Sequence, residues 1–117
     1  MDNTTYIYAL IDPETRGVRY IGRTNNLDRR FQQHHTDRTN IPRLRWIESL
    51  KSKGLSMTYI VLEECAGEAA AKKAEVMWIK LFLEKGASLF NQIYPGYDRK
   101  ELLTRARNFY TQLPRTP

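Results

Sequence analysis

A chain of 117 residues that is 41% hydrophobic and 11% aromatic is the size of one compact domain, with enough apolar material for a core, which excludes wholesale disorder. No apolar run of eighteen residues and no charged-then-apolar leader is seen, so a soluble, intracellular (cytoplasmic) protein with no membrane partner is expected; the lone Cys65 excludes an internal disulfide and a cysteine-based zinc site. Nineteen Lys and Arg against 13 Asp and Glu leave a net charge of +6, and such an excess favours a polyanionic partner because each neutralised phosphate releases counterions.

The charge is unevenly placed. Arg16, Arg19, Arg23, Arg29, Arg30, Arg38, Arg43 and Arg45 crowd the first half, whereas Glu63, Glu64, Glu68 and Glu75 come later. One face of the first half is therefore expected to be cationic.

The β-branched and aromatic stretch 5–11 predicts a strand, and residues 12–17 a turn in which Pro13 sets the bend and Gly17 takes positive φ. Residues 18–24 return as a second strand, and so short a turn implies an antiparallel hairpin. Tyr8 and Tyr20 then lie on neighbouring strands. Asn25 and Asn26 are N-cap residues for a helix over 27–35, with Asp28 suited to the positive end of its dipole. A second helix is predicted over 42–53 from the stripe Leu44, Ile47 and Leu50, stopped by Gly54. A third strand covers 57–62. A long helix follows over 67–85, with two apolar stripes, Ala70/Ala74/Met77/Leu81 and Ala71/Glu75/Trp78/Phe82, closed by Gly86. Pro95 and Gly96 mark the end of the core at residue 96. Residues 97–117 then hold an amphipathic helix over 98–113, with Leu102, Ala106, Phe109 and Leu113 on one face, expected to pack on the same domain.

Three features carry chemistry. Arg30 and His34 are four apart, so they leave the same side of the first helix, flanked by Leu27 and Phe31 at a core edge. Spacing alone favours a surface helix. Glu75 falls within an apolar stripe, where an unpaired carboxylate is costly, so a cation should compensate it, either an arginine or a hard divalent metal; an outward-reaching carboxylate at the stripe's edge is the plainer alternative. Tyr8 and Tyr20 are ambiguous by themselves, because tyrosine is ordinary in strands and a phenol is a poor base at neutral pH unless cations stabilise the phenolate.

Tyr6-Ile7-Tyr8, then Tyr20-Ile21-Gly22, then Arg30, His34, Glu75 and Asn91 resemble the GIY-YIG nuclease family. The segment from Tyr20 to His34 is the most specific part, and the resemblance covers roughly residues 5–93. It implies an α+β fold: a small three-stranded antiparallel β-sheet flanked by helices, here with the C-terminal amphipathic helix added.

The resemblance also implies roles. Tyr8 matches the general base that activates the attacking water, His34 the group that accepts or relays that proton, and Tyr20 a second phenol near the scissile phosphate. Arg30 matches the arginine that holds the phosphate, with Arg29 its rival for that role. Glu75 matches a single carboxylate that binds one divalent ion, Mg2+ or Mn2+. Asn91, Arg23 and Arg29 are expected to support the site or bind DNA, and Gly22 to allow close backbone approach. Tyr6 departs from the family by replacing the first glycine of its motif, and His35 adjoins His34. The implied activity is metal-dependent hydrolysis of DNA phosphodiesters; the alternatives are a DNA-binding module of the same fold with weak or no catalysis, or an interaction domain. No zinc finger or helix-turn-helix pattern is visible, so specificity would come from DNA shape, a homodimer or a targeting partner protein.

Overall fold

The computed structural model describes residues 3–91. Its elements run β1 (Thr4–Ile11), β2 (Val18–Thr24), α1 (Leu27–His34), α2 (Ile41–Ser52), β3 (Thr58–Ala66) and α3 (Glu68–Glu84). The three strands form one antiparallel sheet in the order β2-β1-β3, so the α+β class and three-stranded sheet expected from the sequence are present. Among the described residues, no helix is long and apolar enough to cross a membrane. The predicted helix over 98–113, and the end of the core at Pro95 and Gly96, lie outside the described residues.

β1 is the central strand, and both of its faces are covered. Side chains alternate across a strand, so Ile7 and Ala9 join Ile21, Cys65 and the α3 residues Ala71, Ala74, Ile79 and Leu83 in one core. Tyr8 and Leu10 join Ile47, Leu50 and Met57 in a second core, with Trp46, Leu27 and Phe31 packed against it. Thus α3 covers one face of the sheet, while α1 and α2 cover the other.

The β1–β2 connection is tied by Asp12, whose Oδ1 accepts from the backbone N–H of Glu14 at 2.7 Å and of Thr15 at 3.3 Å. Its Oδ2 accepts from Trp46 Nε1 at 2.9 Å, fastening the turn to α2. The left-handed residue is Arg16, with φ 62°, and not Gly17 as the turn chemistry suggested; the backbone N–H of Arg16 reaches Asp12 O at 2.7 Å, which sets the fifth residue of the turn in that region.

Both short helices start on asparagine caps. Asn26 accepts from Arg29 N, and Asn40 accepts from Arg43 N, satisfying donors that the first turn leaves open. Pro42 sits in the first turn of α2, where no N–H is needed. Gly54 and Gly86, with φ 74° and 88°, follow the ends of α2 and α3.

Two further sequence expectations are corrected. β3 runs to Ala66 rather than stopping at Leu62. It continues through Glu63 and Glu64 because an edge strand with an exposed face tolerates charge. β3 also bulges: Ile7 pairs with Glu63 and Tyr8 with Val61, which leaves Leu62 as the extra residue beside Tyr8. In α3 the stripe Ala70, Met77 and Leu81 faces outward, with Met77 70% exposed, and the buried line runs instead through Ala71, Ala74, Ile79 and Leu83. Ala74 belongs to both descriptions.

Candidate active site

β2 is an edge strand, and the candidate site wraps around it. Tyr20 and Gly22 point to the α1/α2 face of the sheet, whereas Ile21 and Arg23 point to α3. A polar cavity of about 300 Å3 therefore gathers Tyr8, Tyr20 and Arg30 from one face and Arg23, Glu68 and Glu75 from the other, with Gly22 between them.

Gly22 pairs with Tyr8 across the strands, and the phenol of Tyr8 lies directly over it. A Cβ at position 22 would sit 2.5 Å from Tyr8 Oη and 2.7 Å from Tyr8 Cζ. The close approach is thus that of a side chain on the neighbouring strand, and only hydrogen at position 22 leaves room for it.

Behind Tyr8 stands His34. Its ring is fully buried, and its Nε2 lies 2.7 Å from Tyr8 Oη. Tyr20 completes an aromatic cluster, with its ring centroid 5.4 Å from His34 and 6.5 Å from Tyr8. Burial pushes the Tyr8 phenol well above its ordinary pKa, and Tyr20 adds to this, while the charge of Arg30 pulls it back. Burial, then Arg43 and Arg30, push His34 down to about 3. At neutral pH both groups are therefore neutral, and one proton lies between Tyr8 Oη and His34 Nε2. His34 Nδ1 is buried without a partner.

Glu75 is compensated by an arginine. Arg23 Nη1 donates to Glu75 Oε1 at 2.7 Å, and its Nε to Glu68 Oε1 at 2.6 Å. Of the two compensators expected from the sequence, arginine or metal, the arginine is present as Arg23. Burial still raises the Glu75 pKa, outweighing the opposing pull of Arg23. Among the described residues, no three His, Cys, Asp or Glu side chains converge on one point. Glu75 is a hard oxygen donor in a polar cavity, so the donor chemistry fits a Mg2+- or Mn2+-like ion that takes one carboxylate and keeps its other positions for water and phosphate oxygens.

Arg30 and Arg29 separate clearly. Arg30 lines the polar cavity and donates from Nη1 to Asp37 Oδ2 at 3.0 Å. Arg29 is exposed, its side chain donates to Asn25 Oδ1 at 3.3 Å, and it stays outside the cavity. His35 is likewise exposed, with its ring edge-on to Phe31. Asn91 acts on the backbone of β2: its Oδ1 accepts from Ile21 N at 3.0 Å and its Nδ2 donates to Ile21 O at 2.7 Å. It holds the strand between Tyr20 and Gly22 in place.

Sequence reasoning missed Arg43 and Asp37. Arg43 was read only as part of the basic run, yet its side chain is 2% exposed, with Nη2 3.0 Å from Asp37 Oδ2 and the guanidinium 4.6 Å over the Tyr20 ring. The signal was available: positions 43, 47 and 50 share one helical face, so Arg43 lies in line with Ile47 and Leu50. Asp37 gave no such signal, since it stands in a loop. Hydrogen bonds from Thr39 hold its carboxyl well below the usual range, and Arg30 and Arg43 act in the same direction.

A larger groove of about 680 Å3 runs along the outer side of α3, lined by Met77, Leu81 and Trp78 among others. It holds none of the polar residues just described and is no part of this site.

The family model for the GIY-YIG catalytic domain matches residues 4–87. The match takes in every element from β1 to α3, with Tyr8, Tyr20, Arg30, His34 and Glu75 inside it and Asn91 beyond its end. No curated protein and no solved structure matches the chain.

Proposed function

Because this chain belongs to the GIY-YIG family, whose nucleases act on DNA, we propose that it is a metal-dependent endonuclease that hydrolyses DNA phosphodiesters at a single-metal site. The observation that carries the reading is the buried Tyr8–His34 hydrogen bond, which opens into the same polar cavity as Arg30 and Glu75.

In this reading Tyr8 Oη takes a proton from the attacking water and gives its own to His34 Nε2, while the new bond to phosphorus forms and that to the leaving oxygen breaks. The Arg30 guanidinium shares the cavity with the phenol, so its charge can stabilise the phenolate and a phosphate oxygen there, where negative charge grows in the transition state. Tyr20 walls the cavity and presents a second phenol. Glu75 would hold the divalent ion, and Arg23 fixes the position of that carboxylate. When bound, the ion supplies Lewis-acid stabilisation of phosphate and leaving oxygens. One such site cuts one strand, so a double-strand break would take a homodimer or two successive nicks.

The second reading is a DNA-binding module of the same fold that does not cut. Its support is the net charge of +6; against it, each motif position from Tyr8 to Glu75 carries a group able to act.

Nicking of supercoiled plasmid by the wild type and Glu75→Ala, with Mg2+, Mn2+ or EDTA, tests the proposal. Metal-dependent nicking that disappears in Glu75→Ala is expected. A wild type that binds DNA in a salt-sensitive way but nicks nothing with either metal would put the binding module first.

A further inference from the structure

Beside the polar cavity lies a second one of about 410 Å3, and the two share Tyr20, Arg23, Arg30 and Glu75. What distinguishes the second cavity is Arg43, together with Thr39, Asn40 and Asn91. The geometry points to this cavity as a second anion subsite, which takes the phosphodiester next to the scissile one on the cut strand. It rests on the nuclease reading for the identity of its ligand as a DNA strand.

Three observations support it. The first is charge. Arg30 Nη1 and Arg43 Nη2 both approach the same oxygen, Asp37 Oδ2, at 3.0 Å. Among the described residues, neither guanidinium has another carboxylate partner, so two positive charges share one negative and the cluster keeps one uncompensated cation. On the other side of the cavity Arg23 is already matched by Glu68 and Glu75.

The second is hydrogen bonding. Arg43 is almost wholly buried, yet its Nε has no acceptor, and Nη2 has only the ion-pair contact with Asp37. A buried donor left without a partner is costly and calls for an explanation. The other polar walls are occupied: Asn40 Oδ1 caps α2 and its Nδ2 holds Phe90 O, Thr39 Oγ1 donates to Asp37, and both ends of the Asn91 amide bind Ile21. With those walls taken, an anion is the ligand that the surplus charge of Arg30 and Arg43 on the cavity lining would take.

The third is position. Arg43 stacks on Tyr20, the side chain that separates it from Tyr8. Cavities sharing a wall at Tyr20 and Arg30 suit consecutive phosphates of one strand, since each is a dispersed anion bound by fork-shaped guanidinium donors.

Thymidine 3′,5′-bisphosphate carries two phosphates with the spacing of neighbours on a strand, and is the probe. In the full-length wild type, arginine Nε–H NMR signals are followed during titration with this compound, with thymidine 5′-monophosphate for comparison. The signals of Arg30 and Arg43 should both move with one shared dissociation constant, and the bisphosphate should bind about tenfold tighter than the monophosphate. Arg43→Gln should bring bisphosphate affinity down to that of the monophosphate, and Arg43→Lys should retain part of the advantage. An Arg43 signal unmoved at saturation while that of Arg30 shifts overturns the subsite and leaves the nuclease reading intact. Equal affinity for the two compounds in the wild type also overturns it, whatever becomes of the variants. Movement at Arg43 in a protein that nicks no plasmid would instead sink the nuclease reading and leave an anion site.

Discussion

Tyr8 Oη and His34 Nε2 meet at 2.7 Å inside the protein, although 26 positions separate them in the chain. One residue comes from the central strand and the other from the last turn of α1. Their hydrogen bond makes the base of the proposed reaction a pair rather than a residue. Tyr8→Phe and His34→Gln should each reduce plasmid nicking by about a hundredfold or more. The double variant should be little worse than the weaker single, because groups that act as a unit lose their effect together. Wild-type nicking by Tyr8→Phe would remove the phenol from the mechanism.

The same histidine should shape stability against pH. Its folded pKa is near 3, against an ordinary value of 6.5. Below 6.5 the unfolded chain takes up a proton that the folded protein refuses, so stability is lost as pH falls from 6.5 toward 3. Urea unfolding at pH 7, 6, 5 and 4 should show this decline, and His34→Gln should flatten it between pH 6.5 and 4. Equal slopes for the two proteins would mean that His34 charges freely in the folded state.

Gly22→Ala should damage both the fold and the site. The added methyl meets Tyr8 Oη, Cζ and Cε1 inside ordinary contact distance, and such overpacking costs about 1–3 kcal/mol. Chemical denaturation should record that loss, and nicking should fall with it because the phenol must move. Unchanged stability and activity would show that the strands separate easily at this point.

Glu75→Gln should weaken Mn2+ binding by about tenfold or more, read by calorimetry on protein without DNA. The variant keeps a hydrogen-bond acceptor for Arg23, which preserves the packing between β2 and α3. Equal Mn2+ affinity in the two proteins would place the ion elsewhere.

Asn91→Ala would leave the N–H and C=O of Ile21 without their side-chain partners. A loss of about 1–3 kcal/mol in unfolding free energy is expected, with slower nicking, since Ile21 lies between Tyr20 and Gly22. Loss of nicking at full stability would instead give Asn91 a direct part in the chemistry.

Much of this arrangement was legible in the sequence because it rests on local rules. The β-branched and aromatic run of β1, the cap Asn26 and the four-residue step from Arg30 to His34 each depend on near neighbours. What escaped depends on partners far along the chain. β3 continues through Glu63 and Glu64 because it lies at a sheet edge, and strand order is not a local property. Met77 points outward because α3 lies on the sheet through Ala71 and Ala74, and only the docked helix decides between two adjacent stripes. Arg43 was hidden by its type: arginine reads as surface, and the carboxylate and ring that hold it inside, Asp37 and Tyr20, come from a loop and another strand.

The two cores on either side of β1 each have one tryptophan at their margin, Trp78 with α3 and Trp46 with α2. The polar neighbours of the two indoles differ: Trp78 Nε1 donates to Glu63 and Trp46 Nε1 to Asp12. The molecule thus carries a built-in optical reporter for each side of its sheet. With one indole replaced by phenylalanine at a time, the remaining emission follows a single layer through heating or ligand addition, and coincident curves would mean that the two layers melt as one.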